Sequence, residues 1–419
     1  MHKIKEMKMI FVALVLMLNH RPSFASYSNY NSILIGNLAA GMGGAATALY
    51  EDASAIPFYN PAGLARVTGS NFSTSASVYH KYDVNYNDQG NLTDATRRIN
   101  QGTFKAIPAV SSSTKAWGLF GLGFSVVFPD YDYFVGPVKA KNGNVSHLNY
   151  IDESLWVGGG IAFNFTPQSA VGLSMYYTAR DFYRSVFDQQ INSATDIVTV
   201  NEEKSLTHND IVYILGLFHQ YNDNWSIGMS FRFPSLEVSG RGSYFKMTTR
   251  TIPPGNAPES NSDMRSFTKI PTRLAVGTAY RDDKFVVSAD VTLYGATSYY
   301  DLENQAYADH FVHLPVINYS LGMEYKYRKW LRIRAGIYTN YSSHPTPDPS
   351  DQHRQGDRID MWGLSGNLAF YTSERTSWTF GGYYTGGRGE STQFINNQLQ
   401  ATTKAEQIFS MLIASSYFF

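Results

Sequence analysis

From about residue 70 onward, apolar and polar residues alternate with a period of two, the mark of a strand whose two faces meet different surroundings. In 330–341, Leu331, Ile333, Ala335, Ile337 and Tyr341 share one face, while Arg332, Arg334, Gly336 and Asn340 share the other. Segment 284–295 sets Phe285, Val287, Ala289, Val291 and Leu293 against Ser288, Asp290 and Thr292. Segment 316–327 opposes Ile317, Tyr319, Leu321, Met323, Tyr325 and Tyr327 to Asn318, Ser320, Gly322, Glu324 and Lys326. In 224–234, Trp225, Ile227, Met229, Phe231 and Phe233 face away from Ser226, Gly228, Ser230 and Arg232. Such runs reach about ten residues, the length a tilted strand needs to cross a bilayer and well beyond the usual strand of a soluble sheet.

The pattern predicts strands near 70–80, 103–113, 116–128, 154–166, 169–182, 208–222, 224–236, 266–281, 284–296, 313–327, 330–341, 359–373, 376–388 and 405–419. Short turns at 166–168, 222–224, 282–283, 328–329 and 373–375 alternate with long polar connections such as 83–101 and 342–356. Brief turns on one rim and extended loops on the other are the layout of an outer-membrane barrel, with an even strand count placing both ends on the periplasmic side. A soluble β-sandwich would have shorter strands and no regular alternation of gap length. In hydrocarbon every backbone N–H and C=O must be bonded within the protein, so a spanning sheet has to close on itself. The expected fold class is therefore all-β, a fourteen-stranded antiparallel transmembrane β-barrel. In the last strand Met411, Ile413, Tyr417 and Phe419 share a face. A terminal Phe with Tyr two residues before it resembles the sorting signal of outer-membrane barrels, which implies the barrel assembly machinery and outer-membrane lipid as partners.

The N-terminus departs from this pattern. Lys3, Lys5 and Lys8 precede an apolar stretch at 9–18 that is too short to span a bilayer, and Ser23 and Ala25 sit where a signal peptidase reads. Residues 1–25 read as a secretory signal peptide cleaved after Ala25, which sends the chain to the outer membrane of a Gram-negative-type bacterium. Composition agrees. Of 419 residues 15% are aromatic and 16% charged, and 34 basic residues balance 34 acidic ones, which argues against a nucleic-acid partner. The absence of cysteine removes disulfide scaffolds, zinc fingers and thiol catalysis together.

Residues 26–69 lack sustained alternation and are too long for a lead-in. Small residues dominate 36–49 (Gly36-Asn-Leu-Ala-Ala-Gly-Met-Gly-Gly-Ala-Ala-Thr-Ala-Leu49), and Glu51-Asp52 precede Asn60-Pro61-Ala62. Such a segment can pack tightly inside something. A phosphate-loop reading of Gly41, Gly43 and Gly44 fails, because no strand precedes them and no Lys-Ser/Thr follows. Together with 271–280, 319–325, 330–338 and the Pro345-Thr-Pro-Asp348 loop, these pieces resemble the FadL/TodX family of outer-membrane transporters for long-chain fatty acids and other hydrophobic compounds. The resemblance spans essentially the whole mature chain. It implies a plug, or hatch, at 26–69 carrying the motif Asn60, Pro61 and Ala62, inside a barrel at 70–419. It also implies passive transport of a hydrophobic small molecule, captured by extracellular loops and released sideways through a wall opening in the third strand. There Gly118, Gly121 and Gly123 fall within one expected span, with Pro108 in the neighbouring one. Glycine within a strand marks a bend, a bulge or a close approach.

Aromatic residues Phe128, Tyr131, Tyr133 and Phe134, with Phe182 and Tyr183 beyond the next hairpin, are expected to capture the hydrophobe or to form the interfacial girdle. By alternation Arg232, Arg273, Arg332 and Arg334, with Asp290, Glu324 and Lys326, point into the lumen. They would either anchor an anionic head group or pair with one another and with Glu51 or Asp52. Asp348, Asp351, His353, Asp357 and Asp360 have a spacing that could hold Ca²⁺ or simply form a solvated loop. No Gly-x-Ser-x-Gly, no His-Glu-x-x-His and no His cluster is present, so neither an enzyme nor a cofactor or metal is expected. The competing readings are a surface carrier in protein secretion on the same fold, and a lipid hydrolase.

Overall fold

The alternation of 70–419 becomes nineteen strands in a computed structural model that describes residues 28–419 except 53, 88–97, 104–106, 140–144, 192, 194, 253, 351–354 and 396–397. The signal-peptide residues lie outside the described ones. In chain order the strands are β1 (Ser70–Asn87), β2 (Arg98–Thr103), β3 (Ile107–Trp117), β4 (Phe120–Lys139), β5 (Val145–Asn164), β6 (Ser169–Ile191), β7 (Ile197–Gln220), β8 (Trp225–Arg232), β9 (Leu236–Thr251) and β10 (Pro254–Met264). There follow β11 (Arg273–Arg281), β12 (Phe285–Tyr294), β13 (Thr297–Tyr300), β14 (His310–His313), β15 (Val316–Arg328), β16 (Leu331–Asn340), β17 (Arg358–Tyr371), β18 (Thr376–Ile395) and β19 (Gln398–Phe418).

β2 and β3 both pair with β1, β8 and β9 with β7, and β10 and β11 with β9 and β8, so each of these couples is one span in two pieces. β13 and β14 form a separate hairpin. Fourteen antiparallel spans remain. β1 pairs with β19 from Asn71↔Phe418 to Asn87↔Thr403, which closes the barrel.

The outward face carries the apolar set expected from alternation. Ile227, Met229, Val276, Val291, Leu321, Ile333, Ile337 and Leu364 are all exposed, a pattern that suits lipid and not water. This band belongs to the short-turn half. β6 and β7 have 23 and 24 residues, roughly 75–80 Å of strand against an apolar band of about 25 Å. Their far halves turn Asp181, Glu203 and Thr207 outward instead. Alternation fades where both faces are wet, so the expected strands stop short. Residues 236–264, expected as mostly connection, form β9 and β10. A second correction concerns Gly118, which lies with Leu119 in the turn between β3 and β4 at a φ of +59° and not inside the third span. A single glycine that takes a left-handed conformation lets the two strands reverse.

The segment before β1 runs along the inside of the wall. It contains two short helices, α1 (Leu38–Gly41) and α2 (Ile56–Tyr59), and a 3-10 helix (Pro61–Arg66) that packs against β3 to β7. Ile35, Ala39, Met42, Ala48 and Leu64 are buried in it. Its backbone lies so close to the wall that the facing wall positions are glycines. A side chain at Gly121 would run into the Leu64 carbonyl, one at Gly172 into Pro61, one at Gly228 into the Thr47 carbonyl, and one at Gly322 into Met42. Gly123, in the same span as Gly121, faces Leu64 and Pro57 in the same way.

Gly121→Val is therefore expected to displace the 3-10 helix while the barrel still closes. Mobility of the unheated protein on a denaturing gel should stay that of a folded barrel, with ion conductance in planar bilayers raised. Unchanged conductance would show that the contact is not needed to seat the segment.

Candidate functional site

The Asn-Pro-Ala motif is a fastening. Asn60 caps the 3-10 helix by accepting the Ala62 N–H at 3.2 Å, and its amide donates to the Thr47 carbonyl at 2.7 Å and to Leu217 of β7 at 2.9 Å. Pro61 opens the helix, where its missing N–H costs nothing, and Ala62 is fully buried. Asp290 on β12 accepts the N–H groups of Ala46 and Thr47, each at 2.8 Å. Asn367 on β17 donates to the Asn37 carbonyl at 2.8 Å. Glu51 pairs with Arg281, whose guanidinium also bonds Ser226 at 2.7 Å and the Ala48 carbonyl at 2.9 Å. Asp52 turns inward within the segment and accepts the Ala39 N–H at 2.8 Å.

Above this segment the lumen holds a cavity of about 90 Å³ that opens toward solvent. Ile33, Ile35, Phe58 and Tyr59 supply its floor, and Trp156 and Tyr294 belong to its walls. Arg232 and Arg273 reach into it, 6% and 5% exposed. Arg232 sits 5.6 Å from the Trp156 ring and 5.8 Å from that of Tyr294, and Arg273 lies 5.9 Å from Phe58 and 5.5 Å from Tyr59. Arg232 donates to the Pro271 carbonyl at 3.3 and 3.2 Å, while Nε of Arg273 has no partner. Among the described residues neither guanidinium forms a salt bridge, although the carboxylates of Asp130 and Asp290 lie near enough to act on Arg232 and Arg273 respectively. Ring faces offset part of the cost of burying these cations, which leaves them open to an anion.

The four expected lumen arginines thus divide. Arg334 and Arg332 bond Glu324 at 2.7 and 3.2 Å and are spent on structure. Lys326 donates to the Asp282 carbonyl at the short-turn rim. The expected capture aromatics fall in β4 and not in a loop. Tyr131 joins the buried cluster of Phe58 and Trp156, Phe128 is half-buried, Tyr133 is exposed, and the Phe134 side chain lies outside the described residues. Phe182 is buried in a second cluster higher in the barrel. Of the acidic loop, Asp351 and His353 lie outside the described residues, Asp357 bonds Lys404 at 2.9 Å and Asp360 accepts the Ser342 N–H, so these two carboxylates are engaged.

Beside the cavity the ladder between β3 and β4 ends early among the described residues. β3 and β4 pair only from Trp117↔Phe120 to Val110↔Val127. Beyond Val127, among the described residues, β4 pairs with β5 alone, and that ladder also slips between Val127 and Asp130. Pro129, which has no N–H to offer a ladder, sits at the slip and lines the cavity with Asp130. The β1–β3 ladder shifts register opposite Pro108. Trp156 and Pro129 escaped the sequence reading. A lone Trp at an inward register between Ser154 and Gly158, and a Pro inside the third span, were the available signals.

The β13–β14 hairpin roofs the cavity with Tyr299 and His313. Lys204 of β7 holds it through Asp301 at 2.7 Å and Asp309 at 2.9 Å, and Arg184 of β6 bonds Asp309 at 2.8 Å and Glu202 at 2.7 Å. Tyr307 stacks on Tyr244 with ring centres 4.8 Å apart. His313 stacks on His344 and meets Ser343 at 2.9 Å. Its burial, then the neighbouring His344 and Arg180, push its pKa down to about 3.

No family model matches the sequence, and no curated protein matches it. Among solved structures the chain is similar to a FadL homologue from Pseudomonas aeruginosa, at 12% identity over 93% of this chain and 100% of that one, with a TM-score of 0.66. It is also similar to the Ralstonia pickettii toluene transporter TbuX, at 15% identity over 93% and 99% of the two chains with a TM-score of 0.62. The Pseudomonas putida toluene transporter TodX gives 14% identity, 93% and 99% coverage and a TM-score of 0.62. At these identities the likeness is one of fold.

Two outcomes follow for the roof. Lys204→Met leaves the buried Asp301 without its cation, while Asp309 keeps Arg184, and should cost about 3–5 kcal/mol of hairpin attachment, read as faster proteolysis within 302–309. Because His313 is held neutral, protonation must disrupt its site. Its contribution is complete above the ordinary histidine pKa of about 6.5 and is lost as pH falls from there toward 3. Hydrogen exchange in 310–313 should accelerate across that window, and His313→Phe should flatten the dependence.

Proposed function

We propose that this chain is a passive outer-membrane channel for hydrophobic molecules bearing an anionic head group, long-chain fatty acids being the simplest, and that it is not an enzyme. One observation carries the choice of substrate: two buried guanidiniums, with no carboxylate at salt-bridge distance among the described residues, face an aromatic and aliphatic floor in a cavity that Asp130, His208 and Asp210 also line. A carboxylate there would receive charge-assisted, forked hydrogen bonds, and its chain would rest on Trp156, Phe58 and Tyr59. The solved structures of like fold support transport of hydrophobes, since two are titled toluene transporters and one a FadL homologue.

On this reading residues 26–69 act as the plug, with Asn60, Pro61 and Ala62 as its anchor. The ligand enters past the β13–β14 roof and leaves sideways at the Phe128–Pro129 break. Gly121 and Gly123 lie below that break and seat the plug that backs it. Sideways release follows from solvation: each CH₂ gains about 0.8 kcal/mol in hydrocarbon and nothing in aqueous periplasm.

Uptake of labelled oleate by a host lacking its own fatty-acid channel tests this. The intact chain should restore uptake, and Arg273→Ala should lower it roughly tenfold or more, the value of one hydrogen bond to a charge. Toluene entry equal in both proteins, with oleate entry insensitive to Arg273→Ala, would replace the acid by a neutral hydrocarbon. No uptake of either would favour the surface-carrier reading.

A further inference from the structure

The same cavity has a second polar end. On β7, His208 and Asp210 both face inward two residues apart, 4% and 1% exposed, and both line the cavity. His208 Nε2 meets Asp210 Oδ1 at 3.0 Å. The other carboxylate oxygen, Oδ2, has no hydrogen-bond partner. Arg180, the nearby cation on β6, is already committed to Asp152 through two bonds of 2.9 and 2.7 Å and to Thr268 at 2.8 Å. Thr178, directly opposite Asp210 in the ladder, spends its hydroxyl on the Asp210 carbonyl at 3.4 Å. An oxygen of this kind accepts hydrogen bonds and donates none, and leaving it unmet in a buried site is costly.

Strand register gives its distance from the arginine end. Arg232 is level with Ile214 of β7. Asp210 stands four residues farther along that strand, about 13 Å at the usual rise. A saturated acid held at Arg232 and Arg273 would pass an all-carbon chain across this oxygen and leave it unmet.

We propose that Asp210 is a specificity determinant that selects hydrophobic acids carrying a hydroxyl partway along the chain. The inference rests on the anionic-substrate reading above, and adds a donor, at a set distance from the carboxylate, to the ligand's description. A hydroxyl is the group that fits: it donates to Oδ2 while the chain on either side stays apolar.

The test is calorimetric titration of the full-length purified barrel with octadecanoic acid and with octadecanoic acids hydroxylated at successive mid-chain carbons. Affinity should peak at one position, about tenfold above the unsubstituted acid, and the O-methyl ether of that isomer, which cannot donate, should lose the gain. Asp210→Ala should bring the ratio of hydroxylated to plain acid close to one. The ether comparison stands without any variant, so a misfolded Asp210→Ala does not leave the question open. Equal affinity across the series, or a methyl ether that binds as well as the alcohol, would overturn the role of Asp210 while plain-acid binding kept the anionic-substrate reading. Binding by none of the acids would overturn both.

Discussion

A strand in hydrocarbon has nowhere to send its N–H and C=O groups except to another strand. That constraint makes β1 seek β19 and turns a run of short-turn hairpins into a cylinder. It also decides what the sequence can vary. Outward positions need only be apolar, which is why Ile, Leu, Met, Val and aromatics interchange along the band. The backbone ladder leaves no such latitude, and any place where it fails must be supplied from elsewhere or left open for a reason.

Closure creates a second problem, because fourteen spans enclose more room than their own side chains fill; about eight is the number at which side chains suffice. Here the remainder is filled by chain, and filling with chain brings buried peptide groups that need partners. The wall answers with oriented polar groups at specific sites: Asp290 for the N–H groups of Ala46 and Thr47, Asn367 for the Asn37 carbonyl, and Arg281 for the Ala48 carbonyl. It answers with absence as well. Glycines at 121, 172, 228 and 322 let the inner backbone reach the wall. Their lack of a side chain is a packing requirement, and flexibility is no part of it.

The short-turn half of every span was legible because lipid and lumen impose opposite demands on alternate residues. Above the membrane both faces are wet, the contrast vanishes, and the far halves of β6 and β7 read as connection. The arginines show a different limit. Alternation turns Arg232, Arg273, Arg332 and Arg334 to one side of their strands, yet it could not separate them. Glu324 is directly across the ladder from Arg334, and no such acid is paired with Arg232 or Arg273. That distinction belongs to register between strands, which one strand's pattern does not contain. Gly118 was misplaced for a related reason: a two-residue turn between Trp117 and Phe120 interrupts an apolar run too briefly to show.

The early end of the β3–β4 ladder among the described residues sits where, on the proposed route, closure and release come into conflict. From the turn at 118–119 to Val127 is about eight residues, which for a strand tilted near 40° is roughly 20 Å along the membrane normal, toward the far edge of an apolar band of about 25 Å. Fully inside that band an open ladder would leave several donors and acceptors in hydrocarbon, each costing several kcal/mol. At its edge water can reach them, and Pro129 removes one donor from the count. Inside that end lie Asp130 and Ser154, bonded to each other at 3.0 Å, so the threshold is polar but already satisfied. On the proposed route a hydrophobe crosses this threshold with its head group still held deeper in the lumen by the two arginines. Its apolar tail therefore meets lipid first, and the gain from burying that tail is what draws the head group off its anchor.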